Sequence, residues 1–203
     1  MPEDSAPTNW ANLSRMKGLV SPPTLTPAFG VEHSIHKPPR MLRRDIELVF
    51  RPDLAAAHER EAAEGEALDD YLASRLLAVP TWQPATQDLS EISFKVNEER
   101  RGLLKNFHAW VNAVRARLGD YWSDASDPME GTALFGARTS CIYNELEGLT
   151  SLLRYDSVPI GCCGIVLHPE WQRCAYPVTL FTTAPPELLL AAIAETEAER
   201  GGA

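Results

Sequence analysis

The sequence has no long apolar run and no excess of basic residues, and each shortage excludes a class of protein. No window in its 203 residues approaches the roughly 18 consecutive apolar residues that a membrane helix needs. Nineteen Lys and Arg residues stand against 28 Asp and Glu, which gives a formal net charge of -9. That charge disfavours nucleic acid and anionic membrane surfaces as partners. We therefore expect a soluble protein that binds neither.

Cysteine is also scarce. Two of the four cysteines, Cys162 and Cys163, are adjacent, and adjacent cysteines pair only with strain, so a disulfide framework is excluded and reduced thiols are expected. The start of the chain, Met1-Pro2-Glu3-Asp4, has neither the apolar core of a secretory signal nor the early arginines of a transit peptide. The expected localisation is cytoplasmic.

The composition changes near residue 44. Residues 1–43 contain seven prolines among scattered polar residues, which predicts a largely disordered amino-terminal arm. Its two histidines, His33 and His36, are three residues apart and suggest either a metal pair or, as we favour, a solvated loop. Residues 44–200 are predicted to form a single α+β domain, because strand patterns adjoin one another and helical patterns are set apart.

Apolar periodicity locates the expected elements. The clearest is a helix over 97–119, in which apolar residues recur every three or four positions until Gly119. A helical region is predicted between Pro52 and Tyr71, a last helix after Pro185, and either a helix or an irregular loop over 144–153. Strands are predicted over 45–50, 75–82, 92–96, 132–136, 162–168 and 178–182.

Three aspartates, Asp120, Asp124 and Asp127, fall within eight residues after the long helix. Carboxylate oxygens suit a hard cation, but their spacing does not match an EF-hand loop. A turn with Asp127 before Pro128 is the favoured interpretation.

The paired cysteines lead a short apolar run that ends at His168. In a strand, successive side chains point to opposite faces, so the two thiols cannot share a role. One face would carry Cys163, Ile165 and Leu167 towards a core. The other face would carry Cys162, Gly164, Val166 and His168. Cys162 would thus point outward, beside Gly164, whose missing side chain would let a bulky group approach.

Four roles compete for Cys162. It could be a zinc ligand with Cys163, His168 and Cys174, although splayed neighbours coordinate poorly together. It could be a nucleophile, but His168 lies about 20 Å along the strand, too far to activate it. It could offer a single thiolate to a metal held in a large cofactor. Composition alone favours the fourth, a cysteine buried as a small hydrophobic residue.

The segment from Asp120 to Pro186 resembles the methylmalonic aciduria and homocystinuria type D family, the cblD cobalamin-trafficking proteins. The likeness is strong over about a third of the chain and absent from the arm. The residues that carry it are Tyr121-Trp122, Asp124, Asp127-Pro128, Gly131, Phe135-Gly136, Gly161-Cys162-Cys163, His168, Trp171, Phe181-Thr182 and Ala184.

The resemblance implies a nitroreductase-like fold, a mainly antiparallel sheet flanked by helices, without flavin and without catalytic turnover. It implies a trafficking adaptor that takes cobalamin as transient cargo from a cblC-type processing protein and directs it to methionine synthase, methylmalonyl-CoA mutase or both. Cys162 would be the sulfur ligand to the cobalt of cobalamin, and Cys163 would be structural. Neither Cys141 nor Cys174 falls in a family motif.

Two departures from the family pattern stand out. The short acidic arm lacks a clear transit peptide, which weakens the expectation of a mitochondrial branch, and residues 55–70 have no clear counterpart. The alternative function is a flavin-dependent enzyme of nitroreductase type. A zinc-stabilised interaction module is the third hypothesis.

Overall fold

The computed structural model describes residue 13, residues 15–160 and residues 163–202. Five strands form an antiparallel sheet in the order β1-β2-β3-β7-β4, and β5 and β6 form a separate two-stranded sheet. The α+β class, with a mainly antiparallel sheet flanked by helices, is confirmed, whereas the nitroreductase-like assignment stays a prediction. In chain order the elements are β1 Leu19–Thr26, β2 Val31–His36, α1 Arg40–Glu61, α2 Leu68–Arg75, β3 Leu77–Pro84, α3 Phe94–Leu118, β4 Ser123–Ala125, α4 Glu145–Leu153, β5 Ser157–Ile160, β6 Cys163–Val166, β7 Ala175–Thr182 and α5 Pro186–Gly201.

The five-stranded sheet separates two hydrophobic cores. Alternate residues of β3 enter each of them: Ala78 and Trp82 join the core beneath α1, α2 and α4, and Leu77 and Val79 join the core beneath α3 and α5. The sequence of a strand that is buried on both faces is typically a continuous run of apolar residues. This accounts for the correctly predicted strand near 75–82.

The amino-terminal arm contains two of the sheet's strands, so a largely disordered region over 1–43 is wrong for Leu19–His36, and the start of the domain at residue 44 is too late. The prolines at positions 22 and 23 fit because β1 is an edge strand. In β2, Val31 and Ile35 are fully buried. Residues 1–12 lie outside the described residues.

The solvated loop expected around His33 and His36 is also wrong, because both side chains are buried in β2. Three residues apart on a strand, they lie on opposite faces, which argues against a shared metal. His33 packs near Trp110. The Nδ1–H of His36 donates to the carbonyl of Lys17 at 3.0 Å, and its Nε2 accepts from the hydroxyl of Ser34 at 2.8 Å.

Burial of His33 predicts an acid-sensitive fold. Burial lowers its pKa from 6.5 to about 4, although the charge of Glu32 opposes the shift. In the unfolded chain His33 therefore binds a proton below about pH 6.5, whereas in the folded chain it binds one only below about pH 4. We expect His33 to reduce the free energy of unfolding by about 3 kcal/mol as the pH falls from 7 to 4.

Urea unfolding at several pH values in this range, with wild type and His33→Gln, measures that contribution. Comparing the two proteins cancels the titration of the other groups. Equal pH slopes in both proteins would contradict the assignment.

The strand predicted over 45–50 is part of α1. The longer window shows helical spacing, because Leu42, Ile46, Phe50 and Leu54 are buried at intervals of four residues. Pro52 lies inside α1 and coincides with a kink at Phe50, whose backbone is not helical. The helical region expected between Pro52 and Tyr71 is confirmed as the end of α1 and the start of α2.

The long helix is confirmed as α3, which begins three residues before the predicted start. Ser93 caps it by accepting the amide hydrogen of Val96 on its hydroxyl at 3.2 Å. The strand predicted over 92–96 is therefore wrong. Ile92 and Phe94 are 95% and 77% exposed, so these apolar residues do not mark a buried strand.

The remaining predictions have mixed outcomes. A strand near 178–182 and a helix after Pro185 are confirmed as β7 and α5, and of the two alternatives for 144–153 the structure has the helix, α4. The strand predicted over 132–136 is wrong: this segment makes one isolated bridge, between Ser126 and Ala133. The amide hydrogens of Phe135 and Gly136 are taken by the carboxylate of Asp124, at 3.0 and 2.8 Å, and not by a strand partner.

Candidate functional site

The Gly-Cys-Cys motif falls at the junction of β5 and β6. These strands are antiparallel, and Ile160 pairs with Cys163. Gly161 and Cys162 join the two paired residues in the chain and lie outside the described residues. The assignment of Cys162 as the cobalt ligand therefore stays a prediction, while the described strands define the scaffold on both sides of it.

The predicted orientation of this strand is wrong where it can be checked. Val166 and His168, expected on the outward face, are 8% and 2% exposed, whereas Ile165 and Leu167 are half-buried. The reason is that Val166 joins the core beneath α1, α2 and α4. Alternation therefore gives no support for an outward-pointing Cys162, and the prediction depends on the family motif.

Gly164 accommodates a side chain of the same molecule. A Cβ at this position would lie 2.9 Å from Cδ2 of Leu146, in α4. The glycine therefore lets the hairpin pack closely against α4. The earlier interpretation, that it clears the approach of a ligand, has no support from this geometry.

The first turn of α4 is tied to the central sheet. The side chain of Asn144 caps the helix by accepting the amide hydrogen of Glu147 at 3.3 Å. Glu145 accepts hydrogen bonds from the hydroxyls of Ser126, at 2.7 Å, and Thr179. Burial raises the pKa of Glu145, and the two hydroxyl donors oppose that shift. Residue patterns along the chain give no signal for these contacts.

His168 is fully occupied by hydrogen bonds within the protein. Its Nε2 lies 3.0 Å from a carboxylate oxygen of Glu32, and its Nδ1 accepts the amide hydrogens of Glu170 and Trp171 at 3.3 and 3.2 Å. The acceptor role of Nδ1 places the ring proton on Nε2, which donates to Glu32. Neither nitrogen is free to bind a metal or to act as a base.

Aromatic rings surround this histidine. Trp171 stacks on its ring with centroids 4.1 Å apart, and Trp82 and Tyr155 lie at 5.2 and 5.9 Å. His168 thus joins the loop after β6 to Glu32 of β2. His168 is therefore not available as a ligand in the proposed zinc set of Cys162, Cys163, His168 and Cys174. Across residues 13, 15–160 and 163–202, no cluster of three metal-ligating side chains occurs.

Two of the aspartates after α3 accept hydrogen bonds from nearby backbone amides. Asp124 is 1% exposed, and its carboxylate accepts amide hydrogens from Ala125, Phe135 and Gly136. Burial raises the pKa of Asp124, and these three hydrogen bonds oppose the shift. Asp127 accepts amide hydrogens from Met129 and Glu130 and forms the predicted turn.

Cys141 and Cys174 are half-buried free thiols. The described helices include none with both the length and the apolar character needed to cross a membrane.

A family model of the methylmalonic aciduria and homocystinuria type D protein matches residues 9–193 of this chain. The chain belongs to this family. The match extends well beyond the segment in which the sequence motifs are clearest.

Curated relatives agree with this membership. The chain is 28% identical to the cobalamin trafficking protein CblD of Homo sapiens over 162 residues, which are 77% of this chain and 48% of the human protein. It is 28% identical to the Mus musculus protein of that name over 156 residues, which are 76% of this chain and 47% of the mouse protein. It is 26% identical to the Gallus gallus protein over 159 residues, which are 77% of this chain and 48% of the chicken protein. The chain spans about half the length of the curated relatives it matches.

Several residues that carry the cblD resemblance have structural roles. The carbonyl of Trp122 accepts the hydroxyl of Thr182 at 2.8 Å. Gly131 has a positive φ of 69°, and a Cβ there would lie 2.6 Å from the carbonyl oxygen of Tyr143. Phe181 packs edge-on against Tyr143. With Asp124 and His168, these residues hold the fold, which is a different role from the one the resemblance implies for Cys162.

Proposed function

We propose that this chain is a non-enzymatic cobalamin-trafficking adaptor that receives cobalamin from a cblC-type processing protein. Membership of the cblD family is the observation that carries the proposal. The adaptor would direct the cofactor to methionine synthase, methylmalonyl-CoA mutase or both. Cobalamin would be transient cargo, with the cytoplasm as the site of transfer.

The chemistry assigned to Cys162 is ligand exchange at cobalt. The thiol loses its proton to solvent, its sulfur donates an electron pair to the cobalt of cob(II)alamin, and the ligand previously on that side of the metal leaves. No electron is transferred. A soft thiolate suits this step because a single exchangeable cobalt–sulfur bond forms and can later break.

The scaffold around the motif supports a binding role. His168 has no free nitrogen to serve as a base, so it cannot activate Cys162 as an enzymatic nucleophile. The hairpin is backed by α4 through the contact between Leu146 and Gly164. This support would hold the motif in place for a single metal contact.

The visible spectrum of the complex tests this function. Purified cblC-type protein loaded with cob(II)alamin is mixed with wild type, Cys162→Ser or Cys163→Ser. We expect the spectrum of a sulfur-ligated cobalt with wild type and Cys163→Ser. Cys162→Ser should lose it, because a serine hydroxyl is a hard, poorly ionised ligand.

The adjacent cysteine is the matched control, since it makes the same chemical change one residue away. A sulfur-ligand spectrum that persists in Cys162→Ser would contradict the site assignment. A yellow purified protein that carries flavin would favour the nitroreductase-type enzyme, and stoichiometric zinc would favour the interaction module.

A further inference from the structure

The β5–β6 hairpin depends on its neighbours for its position. Its described residues, 157–160 and 163–166, do not pair with the five-stranded sheet, and a two-stranded hairpin is only marginally stable by itself. Gly164 faces Leu146 of α4, and Val166 enters the core. The placement of α4 therefore influences the placement of the hairpin.

The position of α4 is set partly by one carboxylate. Glu145 is the first residue of the helix, and its oxygens accept hydrogen bonds from Thr179 of β7 and from Ser126, directly after β4. The next residue, Leu146, makes the contact with Gly164. Hence the side chain that ties α4 to the sheet adjoins the side chain that contacts the hairpin.

We propose that Glu145 is a positioning residue for Cys162. It fixes the first turn of α4 on the central sheet, and this turn sets the hairpin through Leu146 and Gly164. Cys162 directly precedes Cys163 in the chain, and the backbone of Cys163 pairs with Ile160, so we expect the hairpin to govern how Cys162 is presented. The inference rests on the proposed function in giving Cys162 the role of cobalt ligand.

The remainder of α4 has its own support, which makes the role of Glu145 separable. Leu149, Leu152 and Leu153 are buried in the core beneath α1, α2 and α4. Loss of the Glu145 contacts should therefore loosen the first turn while the later turns stay packed. The hairpin would lose its fixed position without general unfolding.

The experiment compares Glu145→Ala and Glu145→Gln with Glu147→Ala as the matched control. Glu147 lies in the same first turn, is exposed, and is the same residue type. Glutamine keeps polar atoms at both positions, and the hydroxyls of Ser126 and Thr179 can rotate to suit them. It should therefore rescue the alanine defect.

Three readouts are measured. The first is the yield of the sulfur-ligand spectrum with the cob(II)alamin-loaded partner. The second is the rate at which iodoacetamide alkylates Cys162, measured by peptide mass spectrometry. The third is the hydrogen-exchange protection of the β5 and β6 amides. For Glu145→Ala we expect about a tenfold loss of both the spectral yield and the hairpin protection, as two lost hydrogen bonds imply, and an altered alkylation rate. Glu145→Gln and Glu147→Ala should stay near wild type.

A second variant keeps the proposal falsifiable if Glu145→Ala does not fold. Leu146→Ala removes the contact with Gly164 and leaves the carboxylate in place, and it should reproduce the loss of spectral yield. The inference is overturned if the alanine variants leave all three readouts unchanged, or if protection of β3 and β7 falls as much as that of the hairpin. If wild type gives no sulfur-ligand spectrum, the proposed function fails, and alkylation and hydrogen exchange still decide whether Glu145 positions the hairpin.

Discussion

Gly148→Ala is expected to lower the free energy of unfolding by about 3 kcal/mol, because the new methyl group has no space. A Cβ at this position in α4 would lie 1.8 Å from the phenolic oxygen of Tyr143 and 2.5 Å from Cζ of the ring. Tyr143 cannot move away easily, since it is 3% exposed and packs on Phe181. The helix would have to shift. Urea unfolding of wild type and variant measures the change.

Gly102→Ala is the matched control for this prediction. Gly102 is also a helical glycine, in α3, but a Cβ there would meet nothing within 4 Å. Alanine should stabilise the helix at this exposed site by about 1 kcal/mol. If Gly148→Ala were as well tolerated as Gly102→Ala, the close packing of Tyr143 against α4 would be wrong.

Asp124→Ala is expected to lower the free energy of unfolding by about 4 kcal/mol, since three amide hydrogens lose their acceptor in a shielded site. The carboxylate joins β4 to Phe135 and Gly136, 11 and 12 residues further along the chain. Its loss would also remove an opposite charge near Arg115. Thermal and urea unfolding measure the effect.

Two further substitutions define the origin of that loss. Asp124→Asn keeps one carbonyl oxygen as an acceptor and should fall between wild type and alanine. Asp127→Ala removes a carboxylate that accepts two exposed amide hydrogens, and water can replace it there at a cost of about 1 kcal/mol. Equal losses for Asp124→Ala and Asp127→Ala would contradict the buried role of Asp124.

The elements that follow from the sequence are those whose periodicity extends over several turns or that end at strong signals. The helix α3 combines a long apolar stripe with Gly119 at its end, and α5 begins at Pro186, directly after its N-cap Pro185. The part of α1 before Pro52 is missed because the window from Asp45 to Phe50 is short enough to resemble a strand, and Pro52 suggests a stop. In the folded protein α1 continues through Pro52, with a kink at Phe50.

The arm is misjudged for a different reason. Its prolines predict disorder, yet β1 is an edge strand, where a missing amide hydrogen is tolerated. The burial of Val31 and Ile35 in β2 depends on α3 and α5, which lie far along the chain. Local composition contains no information about these partners.

The candidate site shows the same limit. The proposed role of Cys162 comes from a family motif, while the strand-alternation argument fails because Val166 and His168 face the interior. The supporting residues Glu145 and Leu146 act through contacts with Thr179 and Gly164, 34 and 18 positions away. A pattern along the chain cannot reveal contacts of that kind.

X-ray absorption at the cobalt edge tests the central claim most directly. It is measured on cob(II)alamin transferred from the cblC-type protein to wild type, Cys162→Ser and Cys163→Ser. We predict a sulfur scatterer in the first coordination shell of cobalt with wild type and Cys163→Ser, and only nitrogen or oxygen scatterers with Cys162→Ser. A first shell without sulfur in wild type, or sulfur that persists in Cys162→Ser, would contradict the proposed role of Cys162.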